Sequence, residues 1–242
     1  MAINIRPHII INGKSSQEVS GLMICSLPPI TKPQMRVSAQ EIDGKDGDVV
    51  TELGFSAYDK EFSIALHGEY DVDEVIAYLN QSGKITFSNE PDKYYYFACY
   101  NGIDFEKLIN YKTADVEYHV QPFKFSLSEG EKAFTFEASA ESGELTIRNN
   151  GNYISRPKLK ITGSGAIQLG INGNTLFSVD MSEESEIIMD GADMNAYNPE
   201  GLLMNRKITG NMDNLWLAIG KNTIDYSGSI TEIVVSNQSR WI

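Results

Sequence analysis

The stretch that most constrains this chain runs from Met35 to Ala65, MRVSAQEIDGKDGDVVTELGFSAYDKEFSIA. It reads as two extended arms around a tip. Met35–Ile42 forms the first arm, Asp43-Gly44-Lys45-Asp46-Gly47-Asp48 the tip, and the second arm opens Val49-Val50-Thr51-Glu52. Asp-Gly and Gly-Asp steps this close together favour positive-φ turn geometry, so the expectation is a hairpin. Neither arm has the apolar surface to stand alone, and an isolated hairpin is marginal in water. The arm must therefore lie on its own domain or on a neighbouring subunit; the reading adopted is a neighbour.

The rest of the chain is long enough to supply a body for such an arm. Its 242 residues suit one large domain or two ordinary ones, and 41% hydrophobic residues suffice for a core. Mean hydropathy is −0.26, and no apolar run approaches the ~20 residues of a membrane span. MAINIRPHIIING does not read as a signal peptide, since Arg6 is its one early positive charge and Ile9–Ile11 is too short an apolar run. The expectation is a soluble chain made in a cytoplasm. Cys25 and Cys99 read as reduced core thiols. With His8, His67 and His119 they offer no zinc-ligand spacing. A net charge of −13 argues against nucleic-acid binding, which needs a basic footprint. Twelve tyrosines and ten phenylalanines, with many β-branched residues, lean toward β structure.

Along the chain, His8–Lys14 reads as a strand running into an Asn12-Gly13 turn, and Leu22–Leu27 is a short strand stopped by Pro28-Pro29. Phe62, Ile64 and Leu66 alternate on one face of a half-buried strand. One helix is expected over about residues 72–82. Asp71 and Glu74 make a capping pair, Val72, Val75, Ile76 and Leu79 make one apolar stripe, and Gly83 is the stop. Lys84–Ser88, Tyr94–Tyr100 and Val116–Phe125 read as further strands, the tyrosine run as a packed one. A linker is expected at Ala138–Gly143. Beyond it, strands are expected at Glu144–Arg148, Pro157–Gly163, Gly165–Ile171, Thr175–Val179, Glu186–Asp190, Leu215–Gly220, Lys221–Tyr226 and Ile230–Val235, a β-sandwich pattern. The fold class is thus mainly β. A β-sandwich-like domain over 1–138, with one helix and an extended hairpin arm, precedes a second sandwich over 139–242.

The search for chemistry is mostly negative. There is no Gly-x-Ser-x-Gly elbow, no Walker loop and no His-Glu-x-x-His helix, and no histidine completes a triad. Asp43, Asp46 and Asp48 are spaced wrongly for an EF-hand loop. The reading is no enzyme, no cofactor and no metal. Trp216 on a β-sandwich could stack a sugar ring. Leu215 and Leu217 on either side leave its facing open, and a core indole is the commoner outcome.

These residues carry a resemblance. Extended arms flank the acidic tip Ile42–Asp48, and a strand and a helix follow. Asn149-Asn150-Gly151-Asn152 precedes Ser155-Arg156-Pro157 and an alternating strand. Leu217–Ile224 precedes a last strand and Arg240-Trp241. In this order the chain resembles the distal tail (Dit) proteins of long, non-contractile-tailed phages that infect Gram-positive bacteria. The resemblance implies a structural hub at the virion tail tip, synthesised in the host bacterial cytoplasm. It implies a homo-hexameric ring closed by the N-terminal domain, with a belt arm over about residues 36–57. Arg36, Glu41, Ile42, Asp43, Asp46, Asp48 and Val50 would then be subunit-interface residues. A galectin-like second domain would lie outside the ring. The implied partners are the tail tube protein on one face, the tail-associated fibre or lysin protein on the other, and receptor-binding or upper baseplate proteins outside; nucleic acid and membrane insertion are not implied. The alternative is a carbohydrate-binding module for host cell-wall saccharide, using Trp216 with Asn205 and Arg206. The histidine that galectin sugar sites rely on is missing from residues 139–242.

Overall fold

A computed structural model describes residues 6–129, 133–138 and 141–242. The chain divides into two compact units, one of residues up to Lys124 with Ile242, the other Phe125–Trp241.

In the first unit, β1 (Ile9–Ile11), β2 (Lys14–Ser15) and β3 (Leu22–Ile24) precede the arm strands β4 (Met35–Glu41) and β5 (Asp48–Phe55). There follow β6 (Tyr58–Leu66), α1 (Val72–Leu79), β7 (Gly83–Phe87), β8 (Lys93–Ala98), α2 (Phe105–Tyr111) and β9 (Thr113–Ser126). The main sheet runs β2-β1-β7-β8-β9-β6-β3. The period-two pattern read at Phe62, Ile64 and Leu66 puts all three inside, and they meet Ile9, Ile11, Ile85, Phe87, Tyr95 and Tyr118 in one core. Asp71 caps α1, accepting from the backbone N–H of Asp73 and Glu74. The helix buries Val75, Tyr78 and Leu79, so Tyr78 takes the place expected for Ile76 in the stripe. Its hydroxyl can do so because it donates to the carbonyls of Ile9 and Lys14 at 3.1 and 3.2 Å. The helix ends at Leu79, and Gly83 at φ 137° begins β7 rather than closing the helix.

Two expectations need correction here. A second helix, α2, follows the Asn101-Gly102 turn; Asp104 caps it by accepting from Lys107 N–H at 2.7 Å, and Leu108 is its buried anchor. Its seven residues are too few to show a full apolar stripe. Cys25 is exposed, because Leu22 and Ile24 take the inward positions of the alternation and Cys25 takes the outward one after them; both cysteines are free. Only Cys99 is partly buried, and burial pushes its thiol pKa up.

The second unit holds β10 (Ala133–Glu137), β11 (Ser142–Asn149), β12 (Lys158–Ile171), β13 (Asn174–Met181), β14 (Glu186–Asp190), β15 (Asn195–Tyr197), β16 (Ile208–Thr209), β17 (Gly220–Ser236) and β18 (Arg240–Trp241). β12 and β17 run antiparallel from the Lys158–Ser236 pair to the Ile171–Ile224 pair, with register shifts between, and each serves two layers. The first half of β12 pairs with β14 and its second half with β13. The first half of β17 pairs with β11 and its second half with β10. The corner lies at the register shifts around Gly163–Gln168. A Cβ on Gly163 would lie 2.4 Å from Ser229 O, and Gly228, at φ 111°, would put one 2.6 Å from Ala166 O. Glycine is what lets the two strands cross this closely while they bend. Leu159, Ile161, Ile187 and Val235 from one layer share a core with Leu145, Ile167, Leu169, Phe177 and Ile224 from the other.

The expected strands Pro157–Gly163 and Gly165–Ile171 are therefore one bent strand, and so are Lys221–Tyr226 and Ile230–Val235. Leu215–Ile219 is not a strand, and Gly220 already belongs to β17; Leu217 makes an isolated bridge with Ser155, and Leu215 and Leu217 pack into the core. The division also falls earlier than residue 138, since β10 is hydrogen-bonded along β17. Of the linker expected at Ala138–Gly143, Ser139 and Ala140 lie outside the described residues. Beside them, Ala138 N–H donates to Thr231 O, and Glu141 O accepts from Gly228 N–H.

Candidate functional site

The arm occupies the connection between β3 and β6, which are hydrogen-bonded neighbours at the end of the main sheet. The chain leaves the body after β3, makes the hairpin and returns into β6. β4 and β5 form a two-stranded sheet of their own. Seven cross-strand pairs run from Met35–Phe55 to Glu41–Asp48, so the hairpin spans about 24 Å at ~3.4 Å per residue. At the tip, Lys45 N–H donates to Ile42 O at 3.0 Å, and Gly44 and Gly47 take φ of 79° and 77°. The Asp-Gly steps are there for that geometry. A bulge between Arg36 and Val37 bends the arm near its root, with Gly54 at φ 97° opposite and the Arg36 guanidinium donating to Leu53 O.

Cross-strand partners share a face, so Val37, Ala39 and Val50 lie together with Glu41, Asp48 and Glu52. The apolar members are not covered: Val37 is 49% exposed and Val50 57%; Ile42, at the tip beyond β4, is 50% exposed. Arg36, Glu41, Asp43, Asp46 and Asp48 are exposed as well. Among the described residues, no group of three or more His, Cys, Asp or Glu is placed to hold a metal ion. The arm thus presents an apolar strip inside an acidic frame of five carboxylates against Arg36 and Lys45. A surface that covers it needs apolar contacts and positive charge.

The root is packed where the arm is exposed. Phe55 is buried and meets Phe123 edge to face at 5.7 Å, and the Lys32 ammonium lies over its ring at 5.9 Å. The approach segment is tied to the sheet by Cys25 N–H to Ser63 O at 2.8 Å and by Asn89 Nδ2 to Pro28 O at 2.9 Å. Lys60, on β6, donates to Pro29 O at 2.9 Å. Its ammonium sits 5.0–5.7 Å from the ring centres of Tyr58, Phe87 and Tyr95. Burial pushes its pKa down to about 8, against the pull of Glu90. Glu90 takes Tyr95 Oη at 2.6 Å and Lys124 Nζ at 2.7 Å. Nothing in the sequence singles out Lys60; one lysine in an alternating strand gives no sign of facing inward.

The residues considered for sugar are not gathered into one site. Trp216 is 38% exposed, so the core expectation is corrected: Leu215 and Leu217 are fully buried, and the extended chain turns the residue between them outward. The cleft beside Trp216 is lined by Ile171, Asn172, Asn174, Leu176 and Asn214, without Asn205 or Arg206. Asn205 is spent on structure, accepting from Ala196 N–H and donating to Asn195 Oδ1, both at 2.7 Å. Arg206 is exposed on the adjoining turn. The Asn149–Asn152 motif is also a clamp: Asn149 accepts from Gly151 N–H and donates to Tyr153 O and Leu217 O.

No protein-family model matches the chain, and no curated protein matches it. Among solved structures, the crystal structure of SPP1 Dit (gp 19.1), described as a paradigm of hub adsorption apparatus in phages infecting Gram-positive bacteria, matches at a TM-score of 0.66 and 14% identity. That match covers 95% of this chain and 98% of that one. Chains of the phage p2 baseplate in its activated conformation, with Sr and with Ca, each cover 95% of this chain. They score 0.46 and 0.41 at 10% and 9% identity. The chain therefore has the fold of SPP1 Dit over nearly all of its length.

Proposed function

We propose that this chain is a structural hub of a phage tail tip, working by assembly rather than catalysis. The observation that carries the reading is the arm: an apolar strip in an acidic frame, uncovered by its own unit, on a fold shared with a hub protein along nearly the whole chain. A head-to-tail contact repeated by rotation closes into a ring. In this proposal six copies close the ring. Each passes its belt, about residues 36–57, to the next, with Val37, Ile42 and Val50 covered and Glu41, Asp43, Asp46 and Asp48 facing cations. One face of the ring meets the tail tube protein and the other the tail-associated fibre or lysin protein. The second domain carries receptor-binding or upper baseplate proteins.

Immunogold electron microscopy of the virions that carry this chain tests the placement. Antibody raised against the chain should label the distal tail end of intact particles. Label on the capsid, or spread along the tail, would exclude the hub role.

A further inference from the structure

The cleft beside Trp216 has a composition that a docking platform does not require. It encloses about 480 Å³ between the Asn172-Gly173 turn joining β12 to β13 and the 212–214 turn leading to Trp216. That volume suits a small ligand. None of its lining side chains is charged, on a chain of net charge −13. The indole is held facing out, because Leu217 N–H donates to Ser155 O at 2.9 Å and its carbonyl accepts from Ser155 N–H at 3.0 Å. The Asn172 amide is fixed too: it donates to Asn222 Oδ1 at 3.1 Å and accepts from Thr223 N–H at 2.9 Å. Among the described residues, the Asn174 and Asn214 side-chain amides and the Trp216 indole N–H make no hydrogen bond.

We propose that this cleft binds one ring of a neutral saccharide. An aromatic face offers stacking to the C–H face of a pyranose. Two unengaged amides, each donor and acceptor, match the dual role of neighbouring hydroxyls, and the indole adds a third donor. The lack of charge disfavours anions and metal ions, which need compensation when desolvated. An apolar protein side chain seated here would strand the same polar groups, at a cost a hydroxyl-rich ligand avoids. The Asn172 amide and the backbone that carries Trp216 are already tied, so that part of the wall loses little freedom on binding. This inference stands independently of the hub reading.

The test is titration of the full chain with glucose, galactose, N-acetylglucosamine, rhamnose and their short oligomers. It is read by isothermal titration calorimetry for the parent and every variant, and in the parent also by protection of Trp216 from N-bromosuccinimide, located by peptide mass. At least one sugar should protect Trp216, with an affinity that does not change with salt. Trp216→Ala should weaken it about tenfold, and Asn174→Ala or Asn214→Ala about three- to tenfold. Trp216→Phe, which keeps a stacking face, serves if the alanine variant does not fold; it should bind more weakly than the parent. Failure of every sugar to protect Trp216 overturns the proposal. So does binding that Trp216→Phe and Asn214→Ala leave unchanged, or protection conferred only by another tail protein.

Discussion

The Lys60 ammonium and the Pro29 carbonyl meet at 2.9 Å beneath the approach to the arm, with Lys60 only 3% exposed. The contact ties the proline-rich segment that leads into the arm to the strand that receives the chain back. It does so with a charge held among three aromatic rings.

That burial sets a pH dependence. The folded-state pKa of Lys60 is about 8 against an ordinary 10.5. Between those values the unfolded chain binds more protons than the folded one, so stability rises with pH through that window. Below about 8 both states are protonated and the cost of the buried charge is fully present. The groups facing the ammonium are Glu90, Lys124, Tyr58 and Tyr95; burial raises the pKa of both tyrosines, so they stay protonated across the window. Denaturant unfolding of the parent and of Lys60→Met, measured from pH 7 to 10, should show the parent gaining on the variant. The gain is at most ~3 kcal/mol, from about 1.36 kcal/mol per pKa unit. Parallel pH profiles would show that Lys60 carries no such burden.

Tyr118 closes the end of α1. Its hydroxyl donates to Leu79 O at 2.7 Å from a fully buried position. That carbonyl belongs to the last turn of the helix, where intrahelical partners run out. Tyr118→Phe should cost about 1–2 kcal/mol by leaving it unpaired. Tyr111→Phe, at a site 75% exposed, should be neutral in the same thermal unfolding measurement.

Gly151 lies against the C-terminal strand. A Cβ there would sit 2.2 Å from Arg240 O and 2.8 Å from Arg240 N. Both are backbone atoms, so relief requires moving β18. Gly151→Ala should destabilise by about 1–3 kcal/mol. At Gly102 a Cβ meets nothing within 4 Å, and Gly102→Ala should be neutral or gain about 0.4–1 kcal/mol. Comparison of their melting temperatures tests whether the Asn149–Asn152 motif serves to seat the C-terminal strand.

Much of this fold is legible where local chemistry decides it. The tip glycines, the Phe62–Leu66 alternation and the Asp71 cap each act within a few residues, and each forms as the sequence predicts. In the sequence Gly163 closes one expected strand and Gly228 falls in the gap between two others. Here they mark corners that two long strands turn together, which depends on a partner more than sixty residues away. Trp216 is undecidable from Leu215 and Leu217 alone, since both neighbours are apolar; the Ser155 bridge sets its facing. Lys60 is hidden for the same reason, as its surroundings come from β7, β8 and the proline segment. The exposure of the arm is legible early, because a hairpin with so little apolar surface needs cover from elsewhere.

The arm face offers a graded test. Val37→Asp and Val50→Asp lie on exposed strands, so each should change the stability of the isolated chain by no more than about 0.5 kcal/mol. In the proposed ring each would bury a carboxylate in an apolar contact and should shift the assembly toward monomer, read by sedimentation velocity.

The most direct test is native mass spectrometry of the parent beside a chain whose Ser38–Thr51 is replaced by Asn-Gly. This keeps the arm root and the Val37–Glu52 closing pair. Six-copy assemblies of the 26.9 kDa parent are expected, and monomer from the shortened chain with its melting temperature preserved. A shortened chain that forms the same assembly, or a parent that stays monomeric with and without the tail tube protein, would contradict the proposed ring.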